Sequence, residues 1–380
     1  KTITVHIKKG VKYPPPVNRE VKAADIKYAF ERAFSANVPS PYAAAYFSDI
    51  VGVPTKLGAI KDIPGIETPD DSTLVFKLKA PSAALVSQAL AMPISTPVPR
   101  EYAAKYDAHT PSTYDQYVAF TGPYMYKNNS SGKLVGRKPG KSIELVRNPN
   151  WDPKTDYRPA YLDSITVEEG NDDAVSAARR ILKGQSLVQG DGTTPAPVIK
   201  QAVTKNKDQL ALIPSGGYRM ISMNSSIKPF DNINVRKAVL AAADRQALLL
   251  TRGGKLIGDL ATHFLPNDFP GFKDAGGAQG TGADFLAHPS GDMEVAKKYM
   301  LAAKEQDPSL PIDANGKWTG GEKLLMVAAN ADPGKKTAEV ALQQFQKLGF
   351  QINFRTAPQD TLYTKFCNVP KAQVVICPNV

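Results

Sequence analysis

The stretch that decides the fold runs from Glu322 to Arg355 and reads EKLLMVAANADPGKKTAEVALQQFQKLGFQINFR. EKLLMVAA reads as a strand, and KKTAEVALQQFQKLG as an amphipathic helix with Val340, Leu342, Phe345 and Leu348 on or near one stripe. Gly349 supplies the helix stop, and FQINFR follows as another strand. A helix inserted between two strands makes them parallel neighbours joined by a crossover, because an antiparallel pair needs only a tight turn. DTLYTKF and AQVVIC repeat the strand alternation downstream, so the C-terminal part of the chain is expected to be α/β.

Working back from this unit, MEVAKKYMLAAKEQ reads as a helix, and residues 252–292 carry much Gly and Pro with little periodicity, an irregular excursion. NVRKAVLAAADRQALLL predicts two short helices with Asp244 as N-cap of the second. GGYRMISMN alternates as a strand, and IPSGGY interrupts the pattern just before it, which places a lobe boundary near residues 212–218. Upstream, DDAVSAARRILK over residues 172–183 is a helix whose acidic start suits the positive end of the helix dipole. GPYMYKNN, SIELVRNPNW and YLDSITVEEG form a strand-rich section. In AADIKYAFERAF, Ile26, Ala29, Phe30, Ala33 and Phe34 recur at helical spacing and face a core. Residues 2–8 and DSTLVFKLKAP alternate as strands, AALVSQALAM reads as a helix, and STPVPREYAAKY as a turn that begins another.

The chain has 380 residues, enough for two cores. Its hydrophobic content of 42% with 22% charged residues is that of a globular protein, and no run approaches the roughly 18 apolar residues of a membrane helix. The net charge of +11 is spread over scattered short groups, Lys8–Lys9, Arg179–Arg180, Lys297–Lys298 and Lys335–Lys336. Without an aromatic-interleaved basic stripe, this is a solvated basic surface and not a nucleic-acid site. Cys367 and Cys377, in FCNVPKAQVVIC, flank a Pro-containing bend and could meet as a disulfide, hence in an oxidising compartment; free thiols are the alternative. His6, His109, His263 and His288 are scattered singly, so neither a metal nor any other cofactor is expected. Residue 1 falls inside a strand and the chain stops just after another, so the sequence is expected to be a piece of something longer.

Motifs with chemistry are scarce. GRKPGKS at Gly136–Ser142 resembles a phosphate-binding loop, but only three residues separate its glycines, Pro139 removes an N–H donor, and SIELVRNPNW alternates after it instead of starting a helix. It reads as a turn between two strands, with Lys141 solvated. GGAQGTGAD is neither preceded by a strand nor followed at once by a helix, which argues against a dinucleotide site. Glu168–Glu169 and Asp172–Asp173 are neighbours whose side chains diverge, whereas a catalytic dyad needs carboxyls that converge. Trp151 and Trp318 stand in polar contexts and read as covers of a core edge, with ligand stacking the alternative.

Several stretches together resemble a known family. VKAADIKYAFERAF, TGPYMYKNN, IELVRNPNWDPKTDYRPAYLDSITVE and above all MNSSIKPFDNINVRKAVLAAADRQALL are similar to the family 5 solute-binding proteins of ABC importers. Asn224, Pro229–Phe230, Asp231, Val235–Arg236, Ala238 and Asp244–Arg245 match that family's signature, and the matches keep the family's order along the chain. The resemblance implies an α/β, two-lobed periplasmic-binding-protein-like fold, type II, cluster C, with an extra N-terminal subdomain. Residues 1–213 would form lobe I, with 1–115 as the extra subdomain and 116–213 part of its core, and 214–380 would form lobe II with its C-terminal return segment missing.

The resemblance further implies an extracytoplasmic protein, a monomer tied to the membrane only through an anchor outside this chain. Such a protein captures a peptide or other small solute in a cleft and hands it to the permease of an ABC transporter, with no catalytic residues. Tyr42 and Tyr46 align with an aromatic loop that reaches the ligand in peptide-binding relatives, and Gly216, Gly217 and Tyr218 would sit at the hinge crossing. The acidic residue that grips a peptide amino terminus would lie in the missing C-terminal stretch. Two further readings are a ligand sensor or chaperone-like binder without a transporter, and a hydrolase whose perturbed carboxylates converge in the largest pocket.

Overall fold

The computed structural model describes every residue except 39, 130, 171–172, 191–193, 214–215, 268 and 379–380. Its contacts divide the chain into two compact units, Lys1–Gly170 and Asn171–Val380.

In the first unit, β1 (Thr2–His6), β2 (Ile66–Asp70) and β3 (Thr73–Lys77) form an antiparallel sheet in the order β1-β3-β2. Helix α1 (Ala23–Ala33) turns Ala29, Phe30 and Ala33 inward as its spacing predicts, with Ile26 half-buried. Phe30 meets Phe47 and Phe76 edge to face at centroid distances of 4.9 and 5.6 Å. Short helices α2 (Pro41–Phe47) and α3 (Ala83–Ala89) complete this core. Helix α4 (Arg100–Asp107) is tied to α1 by the buried Asp107 carboxylate, which accepts from Arg32 Nη2 at 2.6 Å and Tyr28 Oη at 2.9 Å.

A second sheet gathers β4 (Tyr124–Tyr126), β5 (Arg137–Lys138) and β7 (Ser164–Glu168) around β6 (Ser142–Arg147), all antiparallel. The motif GRKPGKS is the hairpin between β5 and β6: Arg137 faces Ile143, Lys138 faces Ser142, and Gly140 turns the chain at φ +71°. A positive φ there disfavours any side chain, so glycine serves the turn and not a phosphate. Lys141 is exposed.

The second unit opens with α5 (Ala174–Leu182), capped by Asp173, whose side chain accepts the Ser176 N–H at 2.6 Å. Asp172, the expected start of this helix, lies outside the described residues. After α6 (Ala196–Lys205), only Ile221–Met223 of GGYRMISMN enters a ladder, as β8. Helices α7 (Ile233–Ala242) and α8 (Arg245–Leu250) follow, and Asp244 caps α8 by accepting the Ala247 N–H at 2.8 Å. Residues 252–292 carry only short 3₁₀ turns among those described, and α9 (Met293–Gln306) closes the stretch.

The unit that opened the sequence reading is present as β9 (Lys323–Ala329), α10 (Gly334–Lys347) and β10 (Gln351–Ala357), with β9 and β10 parallel. The core stripe of α10 is Thr337, Ala338, Ala341, Gln344, Phe345 and Leu348, while Val340 and Leu342 are half-buried. The small alanines let the helix sit close to the sheet, which rotates the larger aliphatic residues to its flank. β11 (Ile376–Pro378) lies parallel to β9 and antiparallel to β8, giving the sheet order β10-β9-β11-β8.

DTLYTKF, expected as a strand, is helical: Gln359–Thr361 continues into a wider turn at Leu362–Cys367. Topology explains the difference. β10 and β11 flank β9 and both run parallel to it, so the chain must return over the sheet between them and cannot pair within it.

Odd and even residues of β9 serve separate cores. Leu324, Met326 and Ala328 join Phe230, Val235, Met300, Phe345 and Phe350 under α7, α9 and α10. Val327 and Ala329 join Ala357, Leu362, Val374 and Cys377 under the crossover. Cys367 and Cys377 form a disulfide with Cα atoms 6.0 Å apart. Trp318 is 3% exposed and packs in the large core against Phe350, centroids 5.5 Å apart. Trp151 donates from Nε1 to Asp156 Oδ2 at 3.3 Å. No described helix is long and apolar enough to cross a membrane.

Candidate ligand-binding site

Three parallel strands end on the same rim in the second unit, so the carboxyl ends of β9, β10 and β11 lie together there. In open α/β sheets ligands bind at such a rim, where successive connections leave to opposite sides. Here α10 carries the chain from β9 to β10 on one side, and the later crossover brings it to β11 on the other. The Asn330 N–H donates to Ala357 O at 2.9 Å and ties the ends of β9 and β10.

β8 runs the opposite way, so its amino end reaches the rim: Ile221 is paired with Pro378. The residues before it, Gly216 to Met220, therefore lie beside the rim, and all are exposed, Tyr218 by 41% and Met220 by 43%. Gly216 holds φ +61°, while the space beside it is ordinary, a Cβ there meeting Phe269 at 3.6 Å. The glycine thus answers a backbone requirement and not a steric one. Pro214 and Ser215 of the expected hinge lie outside the described residues.

Next to this segment the structure brings in two cations that sequence reading passed over. Arg252 is half-buried in the turn after α8; desolvation brings its guanidinium down to about 10, neighbouring Arg219 adds to this, and Tyr363 opposes it. Arg252 is still charged at neutral pH, and Arg219, on the exposed segment beside the rim, and Tyr363, on the crossover, both act on it electrostatically. Arg219 adjoins Tyr218 in sequence and was within reach of a reading; the burial of Arg252 was not, because it depends on distant elements.

In the first unit, Tyr42 and Tyr46 lie one turn apart on α2 with rings stacked at 6.3 Å and 29°, exposed by 54% and 36%. The adjoining side of the helix, about 100° round, buries Ala43 and Phe47, which leaves both tyrosines exposed. Tyr42 and Tyr46 are thus together in one unit, and Gly216, Gly217 and Tyr218 together in the other.

A cavity of about 610 Å³ in the first unit is lined by Arg19, Lys27, Arg100, Asp25, Glu31 and Asp62, with Lys22, Ala24 and Glu101. Burial raises the Glu31 carboxyl, against Lys27 at 3.9 Å and Arg100 at 3.6 Å, and the Arg19 guanidinium lowers Glu101. Asp25 and Glu101 share Arg19 at 2.7 Å each, and Asp62 holds Lys27 at 2.6 Å. Each of these carboxylates pairs with a cation, which makes the cavity lining an ion-pair network around α1 and α4. Glu169 likewise pairs with Arg137 at 2.5 Å. Among the described residues no group of His, Cys, Asp and Glu could hold a metal ion.

A layered α/β unit with aromatic and cationic side chains beside the carboxyl rim of its sheet is an arrangement in which small ligands bind. The chain belongs to the bacterial extracellular solute-binding proteins, family 5, whose profile matches residues 1–372. The family works outside the cytoplasm, and so does this protein. Di/tripeptide-binding protein 1 of Pseudomonas aeruginosa is 28% identical over 260 residues, 66% of this chain and 44% of that protein. Oligopeptide-binding protein OppA of Bacillus subtilis is 25% identical over 304 residues, 79% of this chain and 51% of that protein. The chain thus spans about half the length of these curated relatives. Among solved structures, OppA of Burkholderia pseudomallei matches 99% of this chain and 67% of its own at TM-score 0.71 and 18% identity. A protein titled clavulanic acid biosynthesis oligopeptide binding protein 2 matches 99% and 64% at TM-score 0.69 and 22% identity. These two likenesses establish the fold.

Proposed function

We propose that this protein captures a small solute, with peptide as the first ligand class, and delivers it to the permease subunits of an ABC importer. The observation that carries this reading is the family profile over residues 1–372, together with relatives named for di-, tri- and oligopeptides. The site supports it chemically. Arg219 and Arg252 offer a partly desolvated positive locus to a ligand carboxylate, where a charge-assisted hydrogen bond is stronger than in water. In the second unit Tyr218 offers a flat, exposed face to ligand side chains and Gly216 lets the chain turn next to the rim, while in the first unit, taken by itself, Tyr42 and Tyr46 expose a stacked pair of rings. Ligand capture shifts the population towards the state that the permease recognises.

The reading includes no catalytic step: in the charged cavity each perturbed carboxylate is paired with a cation, which leaves no converging pair to act as acid and base. Lobe I would comprise 1–213 and lobe II 214–380. A contact cluster that ends at Gly170 is a static grouping, whereas a lobe is what moves as one body.

The test is mass spectrometry of small molecules released on denaturation of the full-length protein purified from its host. Released peptides are the expected result, and a different solute class, such as sugars or metal chelates, overturns the peptide assignment. Arg252→Gln should then weaken binding of the released peptide about tenfold or more if its carboxylate sits on this cation.

A further inference from the structure

The crossover that covers the Val327 and Ala329 side of the sheet is thin. It consists of the turns Gln359–Thr361, Leu362–Cys367 and Pro370–Ala372, and its apolar contacts are Leu362, Phe366, Ala372 and Val374. β11 beneath it is short, meeting β9 through the Ile376–Met326 pair and the Val375 N–H to Leu325 O bond at 2.9 Å. The disulfide joins the end of the crossover turn, at Cys367, to the middle of β11, at Cys377. In β11 Cys377 faces Ser222 of β8 and Pro378 faces Ile221, so the segment 216–220 continues directly from the strand paired with the clamped one, and Tyr363 on the crossover turn acts electrostatically on Arg252.

We infer that the Cys367–Cys377 disulfide is a redox-sensitive clamp, holding the crossover on the sheet so that Tyr363, Arg252 and Arg219 keep their places at the rim. Both cysteines are positioning residues in this account. The inference rests on the ligand reading above for its effect on affinity, but not for its effect on the rim.

Cys377 is buried and Cys367 half-buried, so an incoming thiolate reaches the Cys367 sulfur first. Reduction by a small dithiol then proceeds in two exchanges. The dithiol's thiolate attacks Cys367 Sγ, the S–S bond breaks, and Cys377 leaves as a thiolate that takes up a proton. The second thiol of the reductant displaces Cys367 from the mixed disulfide, and Cys367 is protonated in turn. The reductant leaves as a disulfide, having given two electrons and two protons to the two cysteines. With the cross-link gone, nothing covalent opposes the entropy of the thinly packed crossover.

Hydrogen exchange of the full-length protein, oxidised and after dithiothreitol, decides the matter, with trialanine affinity measured on both forms. Amides of 359–375, 218–220 and 252–254 are expected to exchange about tenfold faster or more on reduction, while those of 334–347 change less than about twofold. Trialanine affinity is expected to fall about fivefold or more and to return on reoxidation. The Cys367→Ser/Cys377→Ser variant should match the reduced form in both respects. Unchanged exchange at 218–220 and 252–254 overturns the clamp, and so does faster exchange there with undiminished trialanine affinity. Failure of trialanine to bind either form excludes trialanine as a ligand, and the exchange at the rim then decides the clamp by itself.

Discussion

The two faces of β9 receive equally apolar residues, yet they are covered in opposite ways. Leu324, Met326 and Ala328 lie under three full helices, and the core there extends to Phe230, Phe345 and Phe350. Val327 and Ala329 lie under short turns that add a single large, fully buried side chain, Leu362, and a disulfide. A strand covered on both sides reads as a continuous apolar run, so the pattern of KLLMVAA announces burial without telling which cover is deep. Depth of cover separates a face that stores stability from one that can open locally, and the open-prone face adjoins the rim to which we assign ligand.

The comparison is sharpened most by Phe230→Ala. Phe230 is fully buried, and its ring lies 5.9 Å from Phe345 and 5.6 Å from Phe350. Its loss should cost about 3 to 5 kcal/mol in denaturant unfolding. Leu362→Ala, on the other face, should cost about 2 to 3 kcal/mol, because a thin cover can settle into the space left behind. Equal costs for the two would break the distinction between the faces.

A smaller effect is expected at the deep face's helix caps. Asp244→Ala removes the acceptor of the Ala247 N–H and should cost about 1 kcal/mol, measured the same way. The smallest concerns pH. Asp284, on a 3₁₀ turn beside α9, is held down to about 2 by Lys298 Nζ at 2.8 Å and the Tyr299 hydroxyl at 2.5 Å. A depressed carboxyl contributes stability above its unfolded value of about 4, and loses it as pH falls through about 2. A carboxyl NMR titration should place Asp284 there, and an ordinary midpoint near 4 would show that this tether does not hold in solution.

Much of the architecture was legible because it repeats with a period. The crossover unit, the acidic start of α5, the cap at Asp244, and the hairpin at Gly136–Ser142 all follow from local spacing and turn chemistry. DTLYTKF misled because alternation over so few residues does not distinguish a strand from a turn whose one buried face is set by Leu362. For the candidate site, Tyr42 and Tyr46 came from the family resemblance and not from spacing, and their exposure on α2, like the roles of Arg252 and Tyr363, emerged only in the structure. The action of Tyr363 on Arg252 joins segments about a hundred residues apart through the fold of the sheet.

The sequence by itself determined the parallel pair of strands around α10, the family signature from Asn224 to Arg245, and the unsuitability of GRKPGKS for phosphate, since each is written in adjacent residues. Only the tertiary structure decided that β11 inserts between β9 and β8, that the crossover is helical, and that Cys367 and Cys377 close over the shallow face. Strand order and side-chain burial are set by contacts distant in the chain, and local pattern constrains these far less than it constrains the elements themselves.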